Sequence, residues 1–218
     1  MDIMLSKEQR IIAAAEQIFA KRGYEKATVD EIIALADVGK GTLYKYFGNK
    51  EHLFYQLVLK KNQLFVERLD AAVLHAQGVD AKLTAFFTEM ITFYRNNAAL
   101  WQIICFEMLG HSTGCMVHTV NGQPTVISRY EVNPPQELQE QMIRYHLILQ
   151  SEFSILQNIF QQARAQGLFK YADLEVTTMF LFFGVAMCIF HPHDTIEKLS
   201  PEAMAKDVVD RFLNGMKI

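Results

Sequence analysis

Apolar residues recur at helical spacing along almost the whole chain, and this pattern predicts an all-α fold. The apolar positions between Ile11 and Phe19 fall on one face of the first predicted helix. Ser6 and Gln9 have the spacing of a capping box, which marks the start of that helix. Gly23 follows two basic residues and is a typical helix end.

The next predicted elements are short. Thr28 and Glu31 form a second capping-box pattern, which marks the start of the second helix. Residues 37–39 interrupt this helix. A third helix covers roughly residues 40–46, and Asn49 caps a long fourth helix. Two short helices that are joined by a tight turn and packed on a first helix are typical of a helix-turn-helix.

Helical periodicity resumes after residue 78 and predicts a larger helical bundle. The predicted helices lie near residues 80–95, 98–109, 137–166, 173–190 and 200–216.

Residues 110–135 break the helical pattern. Two apolar and β-branched runs flank Asn121-Gly122, which is the sequence pattern of a β-hairpin. An irregular loop is the alternative, because an isolated two-stranded hairpin is marginally stable. The predicted fold is therefore an N-terminal three-helix domain over residues 1–50 and a helical bundle over 51–218, with a candidate hairpin insert near 115–130.

The distribution of charge along the chain singles out one short basic segment. The whole chain has a formal net charge of −3, which gives no sign of a nucleic-acid partner. Residues 38–50, however, contain three lysines and no acidic residue. A local basic patch binds phosphate whatever the global charge is.

The three cysteines are an odd and sparse set, which argues against a disulfide framework and favours a reducing, cytoplasmic location. The N-terminal segment is charged and lacks the apolar core of a secretory signal. The longest apolar run, Met179–Phe190, is shorter than the roughly 20 residues that a membrane span needs. We therefore expect no membrane association.

The residue types in the segment DVGKGTLYKYFGNK, residues 37–50, suit contact with DNA. Glycine lets the backbone come close to DNA, lysine and threonine hydrogen-bond base edges, and tyrosine hydroxyls reach phosphates. The candidate DNA-binding residues in this segment are Lys40, Gly41, Thr42, Tyr44, Lys45, Tyr46 and Lys50. The alternative is a solvated turn in a helical bundle, but such a turn needs neither two glycines at a helix start nor two tyrosines between lysines.

Residues 11–54 resemble the DNA-binding domain of the tetracycline-repressor (TetR) family of bacterial transcription regulators. They read IIAAAEQIFAKRGYEKATVDEIIALADVGKGTLYKYFGNKEHLF. The resemblance implies DNA contacts by the residues at the matching positions, with Tyr44 and Lys50 on phosphates. These residues are Thr28, Lys40, Thr42, Tyr44, Tyr46 and Lys50. The chain departs from the family at residues 37–39, where Gly-Val-Ser is commoner, so Gly39 offers no hydroxyl to cap the third helix or to meet a phosphate.

The resemblance also implies that the rest of the chain binds an effector and forms a homodimer. Aromatic and methionine side chains favour an apolar pocket, although ordinary core packing is the alternative for each of them. The candidate ligand-binding residues are Phe87, Met90, Tyr94, Trp101, Phe106, His146 and Phe153. The candidate dimer residues are Phe182, Val185, Ile189, Val208 and Phe212, for which an intramolecular core is the alternative.

Together these observations predict a ligand-responsive transcriptional regulator that is not an enzyme and carries no metal or other cofactor. We expect a repressor that binds a palindromic operator in double-stranded DNA as a homodimer and is released by a small hydrophobic effector. The alternative is a metal- or redox-responsive helical sensor that uses His111, Cys115 and His118, whose spacing matches no established zinc pattern.

Overall fold

The computed structural model describes residues 5–108, 115–128, 133–169, 173–191 and 194–216. The helices are α1 (Lys7–Lys26), α2 (Val29–Ala36), α3 (Lys40–Phe47), α4 (Lys50–His75), α5 (Val79–Asn96), α6 (Ala98–Gln102), α7 (Gln136–Ala165), α8 (Leu174–Phe190), α9 (Asp194–Glu197) and α10 (Pro201–Met216). A π-helical segment, Ile103–Met108, follows α6, and the strands are β1 (Cys115–Val120) and β2 (Gln123–Ser128).

The chain forms two compact units. The first contains Met1–Asn62 and Ala99–His146, and the second contains Gln63–Ala98 and Leu147–Ile218. The domain boundary after residue 50 that the sequence suggests stays a prediction.

Local capping explains where the N-terminal helices begin. Ser6 and Gln9 form a reciprocal capping box at α1, as their spacing predicts. Gly23 interrupts α1 with a φ of 75°, and one further turn follows before the helix ends at Lys26. Glycine adopts this backbone conformation without the steric cost that a Cβ brings.

Phe19 of α1 organises the core of the first unit. Its ring meets that of Phe54 edge-on, with the centroids 5.0 Å apart, and stacks with Tyr24 at 5.8 Å. Phe19 and Phe54 are fully buried, so the aromatic cluster joins α1 to α4. Helix α1 also contacts α2 and α3, which completes the three-helix arrangement.

The predicted hairpin is present in the first unit. Strands β1 and β2 pair antiparallel, with Val117 opposite Val126. Asn121 and Gly122 both have positive φ, 51° and 80°, as a tight hairpin turn of the primed type requires. Cys115 is buried on one face of the hairpin, whereas Ile127 is exposed on the other.

Aromatic stacking dominates the second unit, where α5 packs against α8 and α10. The rings of Phe65 and Phe93 are parallel with centroids 4.0 Å apart, and those of Tyr94 and Phe190 are nearly parallel at 5.7 Å. Arg95 donates hydrogen bonds to the backbone carbonyl oxygens of Ile196 and Leu199 and so fixes the segment between α9 and α10.

The all-α prediction, with an N-terminal helix-turn-helix, a larger helical part and a hairpin insert, is confirmed. None of the helices in the described ranges is long and apolar enough to cross a membrane.

Candidate nucleic-acid interface

The turn between α2 and α3 is built by residues that end one helix and start the next. Asp37 closes α2 in the left-handed conformation, with a φ of 51°. Gly39 is the N-cap of α3 and supplies no side-chain hydrogen bond to the first turn. The first backbone N–H groups of α3 therefore have no capping side chain, and such groups are suited to bind an anion.

Helix α3 has a buried face and an exposed face. Leu43 and Phe47 are buried and hold the helix on the domain, as their spacing of four residues predicts. Tyr44 and Tyr46 remain 44% and 46% exposed, which is high for large aromatic side chains. Lys45 lies between them and is also exposed. The candidate contacts on α3 therefore face solvent, except Thr42, which is half-buried.

Gly41 lies in the first turn of α3, where the protein itself does not need a glycine. A Cβ placed on Gly41 would meet no protein atom within 4 Å, and its φ is not in the left-handed region. Glycine inside a helix costs about 0.5–1 kcal/mol relative to alanine. Neither steric crowding nor backbone conformation within the chain explains this choice.

The positive charge of residues 38–50 is partly neutralised by an acidic residue outside that segment. The Lys40 ammonium donates to the Asp30 carboxylate of α2 at 3.1 Å, and both side chains are largely exposed. This hydrogen bond, with the negative charge of Asp30, raises the pKa of Lys40. Because water surrounds the pair, Lys40 can exchange Asp30 for an incoming acceptor at small cost.

Thr28 is the N-cap of α2 and forms a reciprocal capping box with Glu31. The hydrogen bond from the Thr28 backbone N–H is the main cause that lowers the pKa of the Glu31 carboxyl. The side chain of Thr28 is exposed, so a phosphate can reach the start of α2 there.

The structure places Lys50 differently from the other candidates. Its side chain is half-buried, and its ammonium points back toward the end of α1. Asn49 caps α4 as predicted, because its Oδ1 accepts a hydrogen bond from the His52 backbone N–H at 2.7 Å.

The candidate ligand-binding residues are divided between the two units. Phe87, Met90 and Tyr94 are buried in the second unit, where Phe153 is half-buried. Trp101 is fully buried in the first unit. The side chain of Phe106 lies outside the described part of the structure.

His146 is half-buried in the first unit. Its burial, with a smaller effect from nearby His118, lowers the pKa of its imidazole.

A buried carboxylate that the sequence does not single out lies in the second unit. Glu152 is fully buried, and its Oε2 accepts a hydrogen bond from the Tyr94 hydroxyl at 2.9 Å. In the sequence, Glu152 is a polar residue beside Phe153 in an amphipathic helix. Polar residues are equally common on exposed helix faces, so the sequence does not indicate that Glu152 is buried.

The candidate dimer residues on α8 face the interior of their own unit. Phe182, Val185 and Ile189 are buried there. On α10, Val208 is half-buried, and the half-buried ring of Phe212 lies 5.6 Å from that of Phe160. The dimer contacts assigned to these residues stay predictions.

The opposite face of α8 is apolar and exposed. Phe180 has 77% of its surface exposed, and Val176 and Met187 are also exposed. These three residues follow one another at spacings of four and seven, which places them on one stripe of the helix.

The metal-sensor alternative gains no support from the described residues. Within the described ranges, no group of three or more His, Cys, Asp or Glu side chains is placed to hold a metal ion. Cys115 is buried and is not in a disulfide, His118 is exposed on the hairpin, and His111 lies outside the described residues.

The exposed α3, its buried anchors and its junction with α2 define a helix-turn-helix protein. Residues 11–57 match the family model described as "Bacterial regulatory proteins, tetR family". Residues 11–57 therefore match the tetR family's DNA-binding region, and the resemblance predicted from the sequence is confirmed.

Similar proteins are transcription regulators. The "Fatty acid metabolism regulator protein" of Bacillus subtilis strain 168 is 35% identical over 77 residues, which cover 35% of this chain and 40% of that protein. The "HTH-type transcriptional regulator QacR" of Staphylococcus aureus strain Mu50 is 35% identical over 54 residues, or 25% of this chain and 29% of that protein. The matched part is less than half the length of each relative.

Solved structures share the fold over nearly the whole chain. The fatty acid degradation regulator FadR from Bacillus halodurans has a TM-score of 0.73 at 23% identity, covering 97% of this chain and 96% of its own. FadR from Bacillus subtilis, solved in complex with stearoyl-CoA, has a TM-score of 0.70 at 21% identity, covering 95% and 98%. At these identities the likeness shows the fold alone.

Proposed function

We propose that this protein is a ligand-responsive transcriptional regulator that represses by binding a palindromic operator as a homodimer. The observation that carries the proposal is the exposed face of α3, which contains Lys40, Tyr44 and Tyr46. Gly41 lies on the same helix, and neither its backbone conformation nor crowding by protein atoms requires a glycine there. A surface of this kind matches the close approach of a recognition helix to the major groove.

The candidate contacts divide into two roles. Lys40 and Thr42, at the leading end of α3, read base edges, because lysine donates to guanine and threonine contacts bases or the thymine methyl. Tyr44, Tyr46 and Lys45 bind phosphates and set the position of the helix on the duplex. Thr28 adds a phosphate contact at the N-terminus of α2.

A homodimer would present two such helices to two half-sites that lie about 34–36 Å apart, or at a related spacing. The apolar stripe of Val176, Phe180 and Met187 on α8 is the surface that supports dimer formation, because its exposure in one subunit is costly in water. We therefore assign the α8 contact to this stripe rather than to the buried residues Phe182, Val185 and Ile189.

The effector is a small hydrophobic molecule that binds the helical domain. The cluster of aromatic side chains around Tyr94 supports an apolar ligand, and a structural relative was solved with stearoyl-CoA. The effector releases DNA only if it binds one arrangement of the dimer better than another. Helix α4 is the candidate mechanical link, because it directly follows the helix-turn-helix in the chain.

A cytoplasmic location accords with this function, because a repressor must be in the same compartment as its DNA operator. Within the described ranges, Cys105, Cys115 and Cys188 form no disulfide bond, which suits a reducing compartment.

Selection from random DNA duplexes at two salt concentrations tests the proposal. We expect the protein to recover a palindrome and the affinity to fall steeply as salt increases. A Gly41→Glu variant is the control, because the new side chain points into open space and places a negative charge on the DNA face. Failure of the native protein to enrich any sequence at either salt concentration would refute the proposed function.

A further inference from the structure

Asp30 and Lys40 hold a negative and a positive charge side by side in the helix-turn-helix. Asp30 lies in the first turn of α2, and Lys40 is the first residue of α3. The Lys40 Nζ is 3.1 Å from the Asp30 Oδ1, and the two side chains are 57% and 72% exposed. This ion pair therefore presents a hydrogen-bond donor and an acceptor to solvent at one point of the surface.

Stability gives little reason for an aspartate at this position. An ion pair between exposed side chains contributes little, because water screens both charges. The start of α2 is already stabilised by the capping box of Thr28 and Glu31. In a complex with DNA, the Asp30 carboxylate repels nearby phosphates. A favourable role for Asp30 in DNA binding must therefore involve a part of the duplex that donates hydrogen bonds.

The donors in the major groove are the amino groups of cytosine and adenine. A G·C base pair presents guanine O6 and N7 as acceptors and cytosine N4 as a donor. Because O6 and N4 are hydrogen-bonded to each other within the base pair, they lie about 2.7–3.2 Å apart. The distance of 3.1 Å between the donor atom of Lys40 and the acceptor atom of Asp30 matches this spacing.

The chemistry of the ion pair fits a G·C base pair better than an A·T base pair. A lysine ammonium has three N–H donors, so Lys40 can keep one on Asp30 and direct another to guanine. In an A·T base pair, the thymine methyl group lies beside the O4 acceptor, and adenine N7 is an acceptor beside the N6 donor. A carboxylate on adenine N6 would therefore face the lone pair of N7.

We propose that Asp30 and Lys40 act together to read one G·C base pair in each operator half-site, with Lys40 on guanine and Asp30 on the amino group of cytosine. Asp30 is then a specificity-determining residue, although the sequence pattern does not mark it as a DNA contact. Both roles rest on the proposed DNA-binding function.

Selection from random duplexes with the native protein and with Lys40→Met identifies the base pair that Lys40 reads, because the preference at that position disappears in the variant. Asp30→Asn is then tested at the same position. Asparagine has nearly the same shape as aspartate but presents a donor as well as an acceptor, so it does not require an amino group on the base.

Asp37→Asn is the matched control, because it also removes one carboxylate charge from the helix-turn-helix. Asp37 forms its ion pair with Arg10 of α1, at 3.3 Å, rather than with a residue of α3. Asp37 has a φ of 51°, and asparagine adopts this left-handed conformation readily, so the control should keep the backbone of the turn.

We expect the native protein to lose about tenfold in affinity when the identified G·C base pair is replaced by A·T. The same replacement should cost Asp30→Asn about threefold or less, whereas Asp37→Asn should keep the native ratio. Both variants should bind a scrambled duplex more tightly than the native protein, since each has lost a charge that repels phosphate.

Three results would overturn the role of Asp30. The base pair identified with Lys40→Met is not G·C, the affinity ratio in Asp30→Asn equals that of the native protein, or the ratio falls equally in Asp37→Asn. The binding measurements are made at a temperature at which circular dichroism shows every variant to be folded.

A modified operator provides a second measurement if Asp30→Asn does not fold. N4-methylcytosine at the identified base pair replaces the amino hydrogen that faces the major groove with a methyl group. The native protein should bind this operator about tenfold less tightly, and unchanged affinity would contradict the contact with Asp30. If the native protein selects no sequence at all, the proposed function itself fails, so the two failures are distinguishable.

Discussion

Arg144 of α7 and Glu51 of α4 form a salt bridge in the first unit, with Nη2 and Oε1 3.0 Å apart. The two side chains are only 30% and 21% exposed. Arg144 also lies over the ring of Tyr55, 5.6 Å from its centre. The ion pair and the ring contact join the beginning of α4 to α7, although the two charged residues are 93 positions apart in the chain.

The Arg144–Glu51 pair is expected to contribute measurably to stability. Arg144→Met should lower the free energy of unfolding by about 1–2 kcal/mol, because a largely buried carboxylate loses a charged donor. Urea unfolding followed by circular dichroism measures this change. Arg211→Met is the control, since Arg211 forms an exposed pair with Asp207 at 2.8 Å and its loss should leave stability nearly unchanged. Equal effects of the two substitutions would refute the expectation.

Gly41→Ala should separate folding from DNA binding. A Cβ at this position meets open space, so the helix should gain about 0.5–1 kcal/mol of stability. The same methyl group should weaken operator binding if DNA approaches the backbone of α3 closely.

Thermal unfolding and operator binding of one preparation measure the two effects. Gly23→Ala is the contrasting variant, because its φ of 75° makes a Cβ costly, and it should destabilise the protein by about 1–2 kcal/mol. Unchanged operator affinity in Gly41→Ala would show that DNA does not approach α3 at this residue.

The exposed stripe on α8 predicts the effect of a charge on oligomeric state. Phe180→Glu should convert the proposed homodimer to a monomer, because a carboxylate would be buried at the proposed interface without a partner. Sedimentation velocity measures the change. Leu74→Glu is a matched control, since Leu74 is an equally exposed apolar residue on α4. A dimer that survives Phe180→Glu would exclude this stripe as the interface.

His146 predicts a pH dependence of stability. Its folded-state pKa is lowered from the ordinary value of 6.5 by burial, so the unfolded chain binds its proton more tightly. The resulting contribution to stability is present above pH 6.5 and is lost as pH falls toward and through the folded-state pKa. Urea unfolding between pH 7.5 and about 5.5 should show this loss in the native protein. The His146→Gln variant should lose less stability than the native protein over the same pH interval. If the two proteins lose the same amount, His146 is not the source of the pH dependence.

The exposed face of α3 could be predicted from the sequence because it depends on local geometry. The alternation of Leu43 and Phe47 with Tyr44 and Tyr46 determines which side chains face inward in any helix of that register. Lys50 could not be placed in this way. Its carbonyl partners lie 23 to 26 positions earlier in the chain, and only the packing of α1 against α4 brings them together.

The sequence does not indicate which side of α8 is buried, and the reason differs from that for Lys50. The helix is apolar on all sides, so its periodicity carries no information about which side meets the core. Phe182 and Phe180 are both phenylalanines two residues apart, and the structure buries the first and exposes the second.

By itself, the sequence determined the all-α class, the helix starts at Ser6 and Thr28, the hairpin turn at Asn121-Gly122 and the exposed face of α3. These features depend on residues within about one helical turn or one tight turn of each other, where capping, φ preference and periodicity act directly. The tertiary structure alone decided the contact of Lys50 with the end of α1, the pairing of Arg144 with Glu51, the burial of Glu152 beside Tyr94 and the exposed side of α8. These depend on which distant surfaces pack together, since many chain arrangements satisfy the same local pattern and only side-chain packing distinguishes among them.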